Sequence, residues 1–169
     1  MSKVEKVVVT GVSGCGKTAV GQALATKLDL PFVDADSLHS AANVAKMASG
    51  QPLNDADRVD WLAALANLIT RNKQLVLACS ALKRQYRDQL RAADPTLTFL
   101  YLHGSYETIS SRMRARDDHY FSGEDMLKSQ FRQLEEPVGE QVLHISVEQD
   151  LDAVITTAIT ALGIDPQNL

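Results

Sequence analysis

Residues 11–18 read GVSGCGKT and match the pattern G-x-x-x-x-G-K-[ST] of a phosphate-binding loop. An apolar, β-branched run comes directly before this stretch and a helical pattern follows it, which is the context that such a loop requires. Its glycines allow the backbone to turn N–H groups inward on phosphate oxygens. Lys17 is predicted to neutralise the β- and γ-phosphates of a nucleotide, and Thr18 to ligate Mg²⁺. The stretch therefore predicts a nucleotide site formed by Gly11, Val12, Ser13, Gly14, Cys15, Gly16, Lys17 and Thr18.

Two aspartates, Asp34 and Asp36, stand at the end of a short run that resembles a second strand. Because strand side chains alternate, the two carboxylates are expected on the same side of the strand end. At the carboxyl end of a parallel strand they face the crevice where α/β sheets bind ligands. One could orient an acceptor hydroxyl and take its proton, while the other holds Mg²⁺. The alternative is a helix cap and a surface carboxylate.

Arg112 and Arg116 lie one helical turn apart, directly before a polar stretch without periodicity at 117–124. Two guanidiniums on one helical face could clamp the phosphoryl group during its transfer. The alternative is a solvated basic face. The polar stretch is expected to be an exposed loop, and long loops inside compact domains are often lids.

Three classes of protein use such a phosphate-binding loop. A GTPase switch would carry N-K-x-D, but the nearest string, NKQL at 72–75, lacks the aspartate. A motor would usually show an aspartate at the end of a core strand, where this chain has Cys79 and Ser80. A small-acceptor kinase needs an acceptor pocket, a base and an arginine-bearing lid, and the sequence offers all three.

Apolar patterning predicts five strands that alternate with helices. Strands are expected at 4–10, 31–36, 75–80, 97–103 and 141–147, and helices at 17–28, from 54, at 82–93, 106–116, 125–134 and 151–162. This alternation is typical of an α/β fold with a five-stranded parallel sheet covered on both faces, a three-layer sandwich.

Composition indicates one globular domain spanning 1–169, since 45 % of the residues are hydrophobic and 22 % are charged. A net charge of −4 and a pI of about 5.5 give no basic footprint for nucleic acid. No apolar run approaches the ~20 residues that cross a bilayer, so no membrane partner is expected. The two cysteines, Cys15 and Cys79, suggest no disulfide framework. We therefore expect a cytoplasmic protein.

Four further stretches carry a resemblance to a known family. DADSLH (34–39), NVAKMASGQPLNDADRVDWL (43–62), CSALKRQYRDQLR (79–91) and SQFRQLEEP (129–137) closely resemble gluconokinase, a family of P-loop carbohydrate kinases related to shikimate and nucleoside monophosphate kinases. The resemblance runs from about Val7 to the final helix. It implies a nucleoside-monophosphate-kinase-like fold with an acceptor-binding helical segment at about 37–72 and a lid at about 117–126. It also implies a dimer and ATP-dependent phosphorylation of D-gluconate at its 6-hydroxyl.

The resemblance also assigns site residues. It implies that Lys17 and Thr18 hold phosphate and Mg²⁺ and that Asp36 contacts the acceptor hydroxyl, which leaves Asp34 as the second metal ligand. The catalytic candidates are Lys17, Asp36, Arg112 and Arg116, and the acceptor-pocket candidates are Asp36, His39, Arg58, Ser80, Lys83 and Arg87. The chemistry agrees, because a polyol carboxylate needs a cation and hydrogen-bonding groups. Lys83 and Arg87 are expected on one face of the helix after the third strand, with Arg84 facing solvent.

The sequence also departs from the family pattern. The lid usually reads R-x-G-H-F, whereas Arg116 is followed here by DDHYF, and Arg132-Gln133 stands where Glu-Thr is more usual. Two alternative functions stay open: a kinase of another small hydroxy acid or polyol such as shikimate, and a non-catalytic nucleotide-binding regulator. A shikimate-type pocket would show a glycine-rich turn after the third strand, and CSALK has none. The loop that reads the base is expected near Val147–Asp150.

Overall fold

The computed structural model describes residues 4–116 and 120–169, except for the side chains of Arg116 and of residues 120–123. In this part of the chain five strands form one parallel sheet in the order β2-β3-β1-β4-β5. The strands are β1 (Lys6–Thr10), β2 (Phe32–Asp34), β3 (Leu75–Ala78), β4 (Thr98–His103) and β5 (Val142–Ser146). The predicted α/β fold with a five-stranded parallel sheet is confirmed.

Seven α-helices surround the sheet in the described part of the chain. They are α1 (Lys17–Leu28), α2 (Ala41–Ala48), α3 (Asp55–Arg71), α4 (Arg84–Ala93), α5 (Tyr106–Arg116), α6 (Tyr120–Gln133) and α7 (Leu151–Ala161). Within residues 4–116 and 120–169, no helix combines the length and the apolar character that a membrane span requires.

Alternation along the central strand β1 explains the three layers. Val7 and Val9 point into one hydrophobic core, which contains side chains from α1 and α7. Val8 points into the other core, with Trp61 and Leu65 of α3. Because successive strand residues face opposite sides of a sheet, one short run of valines contributes to both cores.

The strand order locates the site. From β1 the chain moves to β2 and β3 on one side of the sheet, and then to β4 and β5 on the other. Ligands of open α/β sheets bind outside the carboxyl ends of the strands, where this order reverses. The loop at 11–18 follows β1 and therefore lies at that point.

The strand predicted at 31–36 is shorter than expected. β2 ends at Asp34, and residues Ala35–Leu38 form a 3₁₀ turn. The Asp34 carboxylate accepts a hydrogen bond from the backbone N–H of Asp36 at 3.0 Å, which ends the extended conformation. The expectation that strand alternation aligns Asp34 with Asp36 was therefore wrong, and this capping hydrogen bond relates them instead.

The start of α3 agrees with its sequence. A helix was predicted to begin at residue 54, and Asn54 is its N-cap: the Asn54 side chain accepts from the N–H of Asp57, while the Asp57 carboxylate accepts from the N–H of Asn54. Asp57 also pairs with Lys46 of α2 at 2.6 Å. This capping box fixes the corner between α2 and α3, where the predicted acceptor segment turns.

Two other helices begin at different positions from those predicted. α6 begins at Tyr120, so the exposed loop expected at 117–124 was wrong for residues 120–124, while 117–119 lie outside the described residues. A pair between Lys128 and Glu124, four residues apart at 3.5 Å, supports this first part of α6. α4 begins at Arg84 rather than at residue 82, because Lys83 has extended backbone angles.

A buried ion pair joins α4 to the segment before β5. The Arg87 guanidinium donates to both carboxylate oxygens of Glu140, at 3.1 and 2.8 Å, and each side chain is 2 % exposed. It also donates to the carbonyl oxygens of Ala81 and Glu135. Burial alone would raise the pKa of Glu140, but the hydrogen bonds and charge of Arg87 outweigh this and lower it.

We expect Arg87→Met to lower the free energy of unfolding by about 3–5 kcal/mol, because it leaves the Glu140 carboxylate buried without its main partner. The matched control is Arg84→Met in the same helix, where an exposed arginine lies 3.7 Å from Asp88. The Arg84→Met variant should lose under about 1 kcal/mol of unfolding free energy. Urea unfolding followed by circular dichroism measures both. Equal losses in the two variants would contradict a structural role for Arg87.

Candidate active site

The turn from β1 into α1 needs glycine for space as well as for backbone angles. Gly11, Gly14 and Gly16 have φ values of 147°, 78° and 98°. A Cβ atom on Gly11 would lie 2.7 Å from the carbonyl oxygen of Leu102, and one on Gly14 would lie 2.4 Å from Cγ of Met113. Gly16 immediately precedes α1 and has no side chain that could cap it. The loop therefore presents the first amides of α1 to an anion.

A cavity of about 170 Å³ opens at the carboxyl ends of β1, β2 and β3. Its polar lining comes from Ser13, Lys17, Thr18, Asp34, Asp36 and Ser80. The Lys17 ammonium donates to the carbonyl oxygen of Val12 at 3.0 Å, which keeps it over the loop. The Thr10 hydroxyl donates to the carbonyl oxygen of Ser80 at 2.6 Å and ties the ends of β1 and β3 together. Candidates for phosphate, metal and acceptor binding thus line a single cavity.

The two predicted metal ligands lie next to each other in this cavity. The Thr18 hydroxyl donates to Oδ2 of Asp34 at 3.3 Å, and Oδ1 of Asp34 accepts from the N–H of Asp36. A hydroxyl and a carboxylate are the oxygen ligands that Mg²⁺ prefers. In the part of the chain that the structure describes, no group of three or more His, Cys, Asp or Glu side chains could hold a metal ion. The donor set here fits an ion that takes its other ligands from phosphate and water.

The Asp36 carboxylate is accessible from the cavity, with 74 % of its side chain exposed. Its Oδ1 lies 3.9 Å from Nε2 of His39, which is too long for a direct hydrogen bond. An incoming hydroxyl can therefore reach the carboxylate without displacing a hydrogen bond between the two side chains.

The His39 ring is held against Trp61, with the ring centroids 4.4 Å apart and an interplanar angle of 13°. Only 4 % of the His39 side chain is exposed. Burial lowers the pKa of His39, the Asp36 carboxylate opposes this, and the Arg58 guanidinium adds to the lowering. The ring is therefore largely neutral at pH 7, and Trp61, which also belongs to the hydrophobic core, orients it.

Arg58 and Lys83 belong to a polar cluster that joins three helices. Arg58 is buried, and it donates to the Tyr86 hydroxyl at 3.1 Å and to Oε1 of Gln133 at 2.7 Å. Lys83 donates to Asp55 at 2.8 Å, and Tyr86 donates to the same oxygen of Asp55. Hydrogen bonds from Lys83 and Tyr86 lower the pKa of Asp55. Both cations lie over the Tyr86 ring, at 5.5 and 5.8 Å from its centroid.

Arg87 does not belong to this cluster. Lys83 precedes α4, so it does not share a helical face with Arg87 as expected. All of the Arg87 contacts described above, to Glu140, Ala81 and Glu135, lie on the inner side of α4. The geometry contradicts the expectation that Arg87 is an acceptor-pocket residue, because its donors are directed at buried protein acceptors.

A second cavity, of about 320 Å³, lies on the other side of the loop. Its lining is mostly apolar and comes from Gly14, Cys15, Gly16, Ala19, Val20, Arg112, Ala115, Val147, Gln149, Asp150, Leu151 and Val154. It has the size of a small-molecule site. The segment Val147–Asp150, predicted to read the base, contributes to one wall.

Arg112 lines this second cavity together with Gly14, Cys15 and Gly16 of the phosphate loop. Its guanidinium donates to the carbonyl oxygen of Gln149 at 3.1 Å. The expected role of Arg112 as a clamp on the transferred phosphoryl group stays a prediction. Arg116 ends α5, and its side chain lies outside the described residues.

Sequence reasoning missed two side chains that support the site from segments far away along the chain. Oε1 of Gln130 in α6 accepts from the N–H of Ser13 in the phosphate loop at 2.6 Å. Glu148 accepts from the N–H of Ser105 and the hydroxyl of Thr108, at 2.8 and 2.6 Å, and so joins the segment Val147–Asp150 to the start of α5. The first contact spans 117 residues and the second about 40, so no local pattern indicates either.

Comparison with known proteins identifies the family. A family model described as shikimate kinase matches residues 13–162. Thermoresistant gluconokinase from Escherichia coli (strain K12) is 44 % identical over 161 residues, which cover 92 % of this chain and 91 % of that protein. Thermosensitive gluconokinase from the same strain is 42 % identical, with 87 % and 81 % covered.

A solved structure gives the same result. The crystal structure of a gluconokinase from Sinorhizobium meliloti 1021 superimposes with a TM-score of 0.90 at 39 % identity, and the match covers 96 % of this chain and 94 % of that one. Together with the sequence matches across most of the chain, this similarity means that the chain belongs to the gluconokinase family, within the group that the shikimate kinase model describes.

Proposed function

We propose that this protein is an ATP-dependent gluconokinase, which transfers the γ-phosphoryl group of ATP to the 6-hydroxyl of D-gluconate and yields 6-phospho-D-gluconate. The observation that carries this proposal is the cavity at the carboxyl ends of the strands. There the accessible Asp36 carboxylate shares one space with the phosphate-loop residues Lys17 and Thr18. Relatives more than 40 % identical to this chain are gluconokinases.

Two adjacent sets of residues would bind the triphosphate: the start of α1 with Lys17, and the pair Thr18 and Asp34. The amides at the start of α1 and the Lys17 ammonium neutralise the β- and γ-phosphates. The Thr18 hydroxyl and the Asp34 carboxylate hold Mg²⁺, which would supply charge neutralisation on the phosphate oxygens. Lys17 already lies over the loop, since its ammonium donates to the carbonyl oxygen of Val12.

The nucleotide base would occupy the 320 Å³ cavity. Its apolar walls, formed by residues such as Val20, Val147 and Val154, suit the faces of a planar ring. The guanidinium of Arg112 is planar and lies at the same cavity, so it can stack on the base. Arg116 stays the predicted contact to phosphate.

Asp36 would act on the acceptor. Its carboxylate orients the 6-hydroxyl and takes its proton while the oxygen attacks the γ-phosphorus in line, without a phosphoenzyme. Ser80 at the end of β3 lines the same cavity and offers a further hydrogen bond. The cationic cluster of Arg58 and Lys83 would attract the substrate carboxylate, which then replaces or joins Gln133 and Asp55 as their partners.

The homodimer, the cytoplasmic location, the lid at about 117–126 and the acceptor segment at about 37–72 stay predictions. A kinase of another hydroxy acid, such as shikimate, and a non-catalytic regulator are the alternatives. Neither has a specific observation in its favour.

The proposal is tested by ADP release in a coupled assay with ATP and Mg²⁺. D-Gluconate is compared with shikimate, glucose, AMP and no acceptor. We expect a large rate of ADP release with D-gluconate alone. Its carboxylate fits the cationic cluster of Arg58 and Lys83, and its terminal hydroxyl fits the Asp36 carboxylate. Equal background rates in every tube, from protein that binds ATP, would reject the gluconate assignment.

Asp36→Asn should lower kcat for gluconate phosphorylation by at least about 10²-fold, because an amide cannot take the hydroxyl proton. ATP affinity, measured by calorimetry, should be unchanged, since the phosphate loop is intact. The matched control is Asp60→Asn, at an exposed aspartate of α3, which should leave kcat unaltered. Near-normal turnover by the Asp36 variant would reject the assigned base.

Arg112→Met should raise the KM for ATP roughly tenfold, the equivalent of the ~1–2 kcal/mol of a partly desolvated cation–π contact, with a smaller effect on kcat. Arg114→Met, at an exposed position of the same helix, is the control. A fall in kcat with an unchanged KM for ATP would instead support the phosphate clamp that the sequence suggested.

A further inference from the structure

The side chain of Asn43 in α2 is buried next to the acceptor segment, with only 8 % of the residue exposed. Its Nδ2 donates to the carbonyl oxygen of Asp57 at 2.8 Å and lies 3.3 Å from Nδ1 of His39. One amide group thus contacts both the first turn of α3 and the imidazole that faces Asp36.

The first of these contacts fixes the second. A backbone carbonyl only accepts hydrogen bonds, so the amide nitrogen of Asn43, and not its oxygen, must face Asp57. The other hydrogen on that nitrogen is then directed at His39, whose Nδ1 must accept it with a lone pair. The single proton of the neutral ring is therefore on Nε2.

The packing of the His39 ring also fixes the direction in which its Nε2 points. Trp61 stacks on the ring, and its indole N–H donates to the carbonyl oxygen of Ala35 at 2.8 Å, so the stacked pair is anchored to the 3₁₀ turn. The charged groups that act on the imidazole are Asp36 in that turn and Arg58 in α3. With Nδ1 occupied, Nε2–H is directed to the side of the ring where Asp36 lies, 3.9 Å away.

We propose that Asn43 is a positioning residue, which holds the proton of His39 on Nε2 so that the ring donates to the acceptor hydroxyl at Asp36. The 3.9 Å between Nε2 of His39 and Oδ1 of Asp36 is too long for a hydrogen bond between the two side chains. A single hydroxyl oxygen placed between these atoms can form a hydrogen bond with each of them. This hydroxyl is the one phosphorylated under the proposed function, on which the inference rests.

The assigned tautomer sets the direction of the hydrogen bonds. The ring offers the hydroxyl no lone pair, so the hydroxyl oxygen accepts from Nε2–H and its own proton is directed to the Asp36 carboxylate. A second lone pair of that oxygen stays available for the phosphorus. With the proton on Nδ1 instead, the imidazole would accept the hydroxyl proton and compete with Asp36.

The test is long-range ¹H–¹⁵N NMR of the ring nitrogens in the full chain at neutral pH. The His39 signals are identified by their loss in His39→Gln, since the chain has four histidines. We expect the parent protein to show an unprotonated Nδ1 and a protonated Nε2, and Asn43→Leu to show a mixture of tautomers. A protonated Nδ1 in the parent protein would overturn the assignment, even if the Asn43 variant fails to fold.

Kinetics test the functional half. Asn43→Leu should lower kcat/KM for D-gluconate by about tenfold, as is typical when the partner that orients a functional imidazole is removed, with the KM for ATP unchanged. Asn72→Leu is the matched control, because Asn72 also donates its side-chain amide to a backbone carbonyl, that of Leu68 at 2.8 Å, at the other end of α3.

The two measurements separate the possible failures. Unchanged gluconate kinetics in Asn43→Leu with an altered tautomer would overturn the positioning role. An equal loss in the Asn72 control would do the same, since it would reflect stability alone. Absence of gluconate turnover in the parent protein would reject the proposed function, and the His39 tautomer would still decide whether Asn43 fixes the ring proton.

Discussion

One carboxylate, that of Asp34, connects the two halves of the site. Its Oδ2 accepts from the Thr18 hydroxyl in the first turn of α1, and its Oδ1 accepts from the N–H of Asp36. The first bond belongs to the nucleotide half and the second ends β2 and orients the acceptor half. A change at Asp34 would therefore alter both the proposed metal ligands and the path of the chain toward His39, so the proposed distance between phosphate donor and acceptor depends on this side chain.

Sequence reasoning succeeded where structure is determined locally and failed where distant segments meet. The turn at 11–18 and the cap at Asn54 depend on neighbours within a few residues, so their patterns were sufficient. Arg87 has the same charge and spacing as a pocket residue, but its role depends on Glu140, 53 residues away. Asp34 and Asp36 were expected next to each other because of strand alternation, and that reason was wrong. The hydrogen bond from the N–H of Asp36 to the Asp34 carboxylate relates the two residues instead.

α6 connects the phosphate loop to Arg58, and its first residues overlap the lid predicted at about 117–126. Gln130 contacts the N–H of Ser13, and Gln133, one turn later, contacts Arg58. Gln133 occupies a position where the family pattern has a different residue, and it also donates to Ser129 within α6. Because both amides are on one helix, a shift of α6 would change the surroundings of phosphate and acceptor together.

The two buried arginines of this region differ in the charge of their partners. Arg87 donates to the Glu140 carboxylate, so its charge is compensated within the protein. Among the described residues, the side-chain groups that accept from Arg58 are the Tyr86 hydroxyl and the Gln133 amide, and both are neutral. The carboxylates of Asp55 and Asp57 act on its charge without a direct contact. A buried guanidinium held by neutral acceptors keeps much of its attraction for an anion, because hydrogen bonding satisfies its N–H groups without cancelling its charge. Burial alone therefore does not separate a structural arginine from a binding one, whereas the charge of the hydrogen-bond acceptor does. By that criterion Arg58 fits the proposed carboxylate substrate better than Arg87 does.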